Sequence, residues 1–259
     1  MSQKSCRKSK LSPTSTMHFV KFYVRIALFV VVLALYIVHR VSGIDTVFGG
    51  YYDTIPWLVI IIMAVYAVEM ALRFFPARIE SMGCQKQFRR NYRPTGEPRA
   101  RVISPIRTFV AAAAWIALNS IFGVLYYLGV IDGGILVLIS LFYGVCDMIC
   151  ILFFCPFQTW FLKNRCCTDC RIYNWDFAMM FTPLVFINSI YTHVLVILSV
   201  LLLLRWEITL RLHPERFAPQ TNASLRCENC EEKLCRHKRQ LQSFIRKNKE
   251  RFMKRNGEK

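Results

Sequence analysis

Acidic residues are scarce in this sequence: 16 Asp+Glu stand against 34 Lys+Arg, and charged residues of all kinds make up only 19% of 259. So small a charged share excludes an intrinsically disordered chain and a long coiled coil. Eleven glycines exclude collagen, and the length excludes a small secreted disulfide scaffold. Period-2 alternation is missing, which argues against a membrane β-barrel. There is no internal repeat and no low-complexity tract. A Gly-rich phosphate loop, a Ser/His/Asp set and an H-E-x-x-H zinc helix are equally absent, so the familiar hydrolase and nucleotide-binding signatures do not apply.

What is present is oil and positive charge. Hydrophobic residues reach 54%, Phe alone counts 20, and the formal charge is +18; the mean hydropathy is +0.33. One small soluble fold cannot average these two properties, so they must be segregated along the chain. Five apolar blocks do so: 22–38, 57–75, 109–131, 134–154 and 177–204. Each is close to or above the roughly 20 residues that a helix needs to cross about 30 Å of hydrocarbon. A backbone in that medium must satisfy its own hydrogen bonds, which selects helices. The expected fold class is therefore all-α, a polytopic membrane bundle of about five hydrophobic segments with a Cys-rich basic tail. Trp57 and Trp206, at block edges, read as headgroup-layer residues, and Tyr173 and Trp175 as a further interfacial anchor.

Charge assigns sides. The first 25 residues carry Lys4, Arg7, Lys8, Lys10, Lys21 and Arg25 and no acid, and the 76–108 loop is rich in Arg. Linkers 41–56 and 132–133 contain acids but no Lys or Arg. The positive-inside bias places the N-terminus and the 76–108 loop in the cytosol, most simply at the plasma (inner) membrane. A basic start before 26–38 also resembles a signal peptide, but its length and His39-Arg40 favour an uncleaved anchor. The expected organisation is a basic N-terminus 1–21, a transmembrane hairpin 22–75, a basic loop 76–108, a second hairpin 109–154, a Cys-rich loop 155–176, the fifth segment 177–204 and a basic tail 205–259. The fifth segment is ambiguous. A single crossing would put the most basic part of the chain outside, whereas two arms joined near Asn188-Ser189 would return it. Pro183, Asn188 and His193 interrupt the run where a plain span would stay apolar.

The cysteines carry the sharpest signal. There are 11. Cys6 and Cys84 are isolated, and Cys146 and Cys150 lie four apart on one helical face. The others form two clusters: Cys155, Cys166, Cys167 and Cys170, then Cys227-x-x-Cys230-x4-Cys235-x-His237. Two Cys-x-x-Cys pairs have the spacing at which two thiolates reach one tetrahedral ion. Nearby Lys163, Arg165, Arg171, Arg226 and Lys233 favour the thiolate form. Cys166, Cys167, Cys170, Cys227, Cys230, Cys235 and His237 are thus candidate ligands for zinc or an iron–sulfur cluster. The opening of the second cluster resembles a zinc knuckle over about a dozen residues. It departs where Cys235 replaces that family's His and where His237 follows too closely, so no function carries over.

Two further readings compete with a metal-binding membrane component or assembly factor. Cysteine pairs beside a helical bundle resemble, in architecture, quinone-linked thiol oxidoreductases, which implies a disulfide relay. Polar residues inside the apolar blocks, Asn119, Asp147, Asn188 and His193, suggest a transporter in which Asp147 and His193 pass protons or ions. Packing through interhelical hydrogen bonds is the alternative role for them. Glu69, one turn before Arg73, is expected to form a local ion pair with it. From His237 to Arg255 the tail alternates Leu241, Phe244, Ile245, Phe252 and Met253 with Lys and Arg. That pattern predicts a basic amphipathic helix lying on anionic lipid headgroups. Nucleic acid is the less fitting partner for its charge, and other membrane proteins are possible partners.

Overall fold

The computed structural model describes residues 13–42, 56–76, 82–97, 105–157, 162, 170 and 172–229. Their regular structure is helical throughout, with no strand among the described residues. The helices are α1 (Pro13–Ser42), α2 (Pro56–Leu72), α3 (Met82–Gln87), α4 (Pro105–Tyr127), α5 (Gly133–Leu152), α6 (Asp176–Phe181) and α7 (Ile190–Leu212). Among the described residues, four of these, α1, α4, α5 and α7, are long and apolar enough to cross a membrane. At 17 residues α2 is at the short limit for a span.

Local chemistry explains the helix ends. Proline stands first in α1, α2 and α4, where its missing N–H costs nothing and its fixed φ suits a helix start. Asp132 caps α5 by accepting from the Ile135 N–H at 2.9 Å. Gly129 ends the preceding helix at φ 72°, a left-handed conformation that side chains resist. There the Val130 N–H bonds Leu125 O and the Gly129 N–H bonds Tyr126 O, the paired closure of a Schellman turn.

The fifth hydrophobic block is broken. It begins as α6, tightens into a 3-10 turn over Thr182–Phe186 that contains Pro183, and becomes extended at Ile187. Pro183 supplies no N–H to continue the α ladder. The Thr182 hydroxyl donates back to Ala178 O at 2.8 Å. After Asn188 and Ser189 the chain reverses into α7, which runs on to Leu212, beyond the expected end of the block. Contacts along both arms fix their direction. Met180 O accepts from Ser140 midway along α5, and Phe186 meets Tyr127 at the far end of α4. Returning along α7, Glu207 accepts from Trp175 Nε1 at 2.7 Å. The 173–212 segment is therefore a helical hairpin whose start and finish share one end of the bundle.

Helix α5 is the centre. Half of its apolar window is buried, against 11% for α1, and α1 packs antiparallel along it. Tyr36 bonds Asp132 at one end, while Phe19 and Phe22 meet Phe153 at the other. Tyr66, Met70, Leu136, Leu141, Phe177 and Leu202 fill the interior. The outer faces are apolar, with Val31, Ile37, Ile116, Ile121, Leu201 and Ile208 exposed. Inside lie Arg25, Asn119, Ser140 and Ser199. Large residues outward and polar ones inward is the distribution of a bundle solvated by lipid.

Loops cap one end. Asn222, fully buried, donates to Lys86 O at 3.0 Å and Arg216 O at 2.8 Å. The Ala223 N–H reaches Arg93 O at 2.8 Å, and Pro94 bridges Asn222. Trp206 is not a headgroup residue: it is buried between Phe88 and Phe217 because α7 extends past it and the cap folds over it. The side chain of Trp57 and the amphipathic pattern of 237–255 lie outside the described residues.

Two outcomes follow from this architecture. Reporters fused at residue 1 and at residue 259 are expected on the same side of the membrane, and opposite-side readings would overturn the hairpin. A Cβ on Gly123 would overlap the Phe186 ring. Gly123→Ala should therefore cost about 1–3 kcal/mol in detergent unfolding, with Phe186→Leu recovering part of it.

Candidate functional site

The strongest concentration of polar chemistry lies inside the bundle, toward the capped end. Arg25 of α1 is 3% exposed. Its Nη1 donates to Asp147 Oδ2 at 2.9 Å and to Gly144 O at 2.9 Å, both on α5. Its Nη2 donates to Glu69 Oε2 of α2 at 2.8 Å. Lys21 stands 3.8 Å from the second Glu69 oxygen. Beside this group Arg73 pairs with Asp176 at 2.5 Å. Phe177 stacks under both guanidinium groups, 4.5 Å from Arg73 and 5.9 Å from Arg25. Three cations thus face three carboxylates, and the cluster is locally neutral.

The arrangement corrects two expectations. Glu69 does not pair with Arg73 along its own helix. Arg73 follows the last turn of α2 and reaches Asp176, leaving Glu69 to Arg25 and Lys21. Asp147 does not meet His193 either. Asp147 binds Arg25 near the capped end, whereas His193 is exposed in the first turn of α7, at the opposite end. Asn188 is exposed at the turn between the hairpin arms, where an amide suits a chain reversal. Asn119 is buried, and its amide donates to Trp115 O one turn earlier on its own helix at 2.9 Å. Arg25 was accessible to sequence reasoning: it lies inside the first apolar block, yet its charge reads as a topological signal.

Against this cluster lies a cavity of about 420 Å³ between α4, α5, α6 and the chain just after α5. Asp147 and Asp176 reach its wall, as do Trp115, Tyr143 and Phe157. Six lining residues carry sulfur: Cys146, Cys150, Cys155, Cys170, Met179 and Met180. Cys146 and Cys150 share a face of α5, and just past its end the chain brings Cys155 to the same cavity wall. None of the four cysteines is in a disulfide.

Of the expected metal ligands, Cys170 borders this cavity. Cys227 opens a 3-10 turn on the cap (Cys227–Asn229), held by an Asn229 bond to Ala223 O at 3.0 Å. Cys166, Cys167, Cys230, Cys235 and His237 lie outside the described residues. Among the described residues, no three His, Cys, Asp or Glu side chains are placed to hold a metal.

Both cluster-bearing segments nevertheless reach one short helix. Asn174, four residues after Cys170, donates to Gln87 Oε1 at 2.8 Å. Asn222, five residues before Cys227, donates to Lys86 O. Neighbouring residues of α3 thus tie the two segments down.

Removing one member of a buried ion pair leaves an uncompensated charge, at a cost of about 3–5 kcal/mol. Arg25→Gln is expected to destabilise the detergent-solubilised protein by that amount in chemical unfolding. The exposed Arg40→Gln should change stability by less than about 1 kcal/mol. Comparison with family models, with characterised proteins and with solved structures finds no match to this chain.

Proposed function

We propose that this chain is a multi-pass component of the plasma (inner) membrane that holds a metal ion, zinc or an iron–sulfur cluster, at the cytosolic end of its bundle. The ligands are drawn from Cys166, Cys167, Cys170, Cys227, Cys230, Cys235 and His237. The observation that supports this reading is the docking of both cluster-bearing segments on α3, through Asn174 to Gln87 and Asn222 to Lys86. Segments far apart in sequence are thereby held within a few residues of a common point. A tetrahedral site needs this: two Cys-x-x-Cys pairs converging at about 2.3 Å from one ion. The basic surroundings support thiolate ligands, and the positive-inside bias supports a cytosolic assignment for that end.

In this reading the metal locks the cap. The two cap loops gain a crosslink, and the binding free energy becomes folding free energy for the cap. The basic tail beyond His237 then continues along anionic headgroups, presenting a rigid cytosolic face to other membrane proteins. The role is that of a membrane component or assembly factor.

Metal analysis of the purified full-length protein tests the proposal. Stoichiometric zinc or iron is expected in the wild type. Both should fall to background when Cys167, Cys170, Cys227 and Cys230 are replaced by Ser. Replacing Cys227 and Cys230 alone should abolish binding at a shared centre. Metal content unchanged by the fourfold substitution would end the proposal.

A further inference from the structure

The sulfur-lined cavity has its own chemistry. Its wall is built from Trp115 of α4, the Cys146–Cys150 face of α5, Met179 and Met180 of α6, and Cys155 where the chain folds back. Two carboxylates reach it, Asp147 and Asp176, but Arg25 and Arg73 already engage them. Six of the lining residues offer thiol or thioether sulfur, set among aromatic rings and beside the Tyr143 hydroxyl and the second Asp176 oxygen.

That donor set discriminates among ions. Calcium and magnesium require six or more oxygens, or a nearly regular octahedron. Zinc requires four donors in a tetrahedron, and among the described residues no three suitable His, Cys, Asp or Glu side chains converge. A soft monovalent ion is different: sulfur ligands select it, and two thiolates suffice. Cys150 and Cys155 supply two thiols to the cavity wall. Met179 and Met180 on the same cavity wall add soft, polarizable neighbours.

We infer that this cavity is a Cu(I) site in which the Cys150 and Cys155 thiolates are the ligands. Binding forms two Cu–S bonds and releases one proton from each thiol to solvent; the copper stays monovalent, so no electron is transferred. Cys146 and Cys170 add two further thiols to the same wall. The inference does not depend on the zinc or iron–sulfur centre proposed above.

The test is anaerobic Cu(I) titration of the full-length protein in detergent against a chromogenic Cu(I) chelator. Changes outside the first ligand shell already weaken metal sites about 10-fold or more. Cys150→Ser and Cys155→Ser should therefore each exceed that loss. A variant with Cys166, Cys167, Cys227 and Cys230 replaced by Ser should retain the copper, which separates this site from the cap. Since either serine variant could misfold, the wild type supplies a second readout. Cu(I) should protect Cys150 and Cys155 from maleimide, and X-ray absorption should show a sulfur-only shell. Full maleimide labelling in the presence of Cu(I), or unchanged affinity in folded serine variants, would overturn the inference.

Discussion

The bundle is organised around one guanidinium group that cannot be left alone. Arg25 sits at 3% exposure among apolar helices, where an unpaired charge is costly by any scale. It is compensated only when α1, α2 and α5 stand in one register, because Glu69, Asp147 and the Gly144 carbonyl come from two other helices. Sliding any of the three by a turn would strand a charge. Apolar packing alone discriminates poorly between such registers, since lipid tails solvate Leu and Ile as well as a neighbouring helix does. Gly144 is part of the same device: a side chain there would meet Met180 Sδ at 2.9 Å and Tyr66 Oη at 3.0 Å. Its bareness lets α2 and α6 close on α5 while its carbonyl faces Arg25.

The second pair extends this control to the broken segment. Arg73, just past α2, grips Asp176 at the first residue of α6. The charge cluster therefore fixes where the descending arm of the hairpin begins. From there the chain needs a compact route to the far end, and a short α-helix followed by a 3-10 turn provides more rise per residue than α-helix alone. Pro183 and the extended Ile187 then make the reversal possible. Irregular backbone of this kind survives at membrane depth only under protein cover. The cover here is α4, α5 and α7, with Trp115 bonding Thr182 and Ser140 bonding Met180 O.

Much of this was legible where the determining forces are local. Hydropathy locates the apolar helices because each residue's transfer preference acts independently of the fold. Pro183 and Asn188 mark the break, and the basic tail argues for the return. Pairing was not legible. Glu69 and Arg73 have the spacing of a helical ion pair, but in a lipid-solvated bundle the partner is set by which helix packs opposite, and Arg25 wins. Arg25 itself resembles a flanking topological charge unless its position inside the first apolar block is given weight. Trp206 misleads for a related reason: its indole stands at the edge of the block, but the edge of the block is not the end of α7. The gathering of Cys150 and Cys155 depends on the turn after Leu152, to which no periodicity points.

Helix α5 joins these features into one argument. Its successive faces serve different neighbours: Gly144 and Asp147 turn to Arg25, Ser140 to the broken arm, and Cys146 and Cys150 to the cavity. Asp147 belongs to two of these, since it binds Arg25 and also reaches the cavity wall. Occupation of the cavity by a charged guest would thus act directly on a carboxylate that holds α1 in register. The same cavity touches Asp176, whose partner Arg73 sets the start of the broken arm. A change at the sulfur wall therefore has a short physical route to both ion pairs. Through the segment that follows Asp176 it has a route to the hairpin, whose second arm carries the cap.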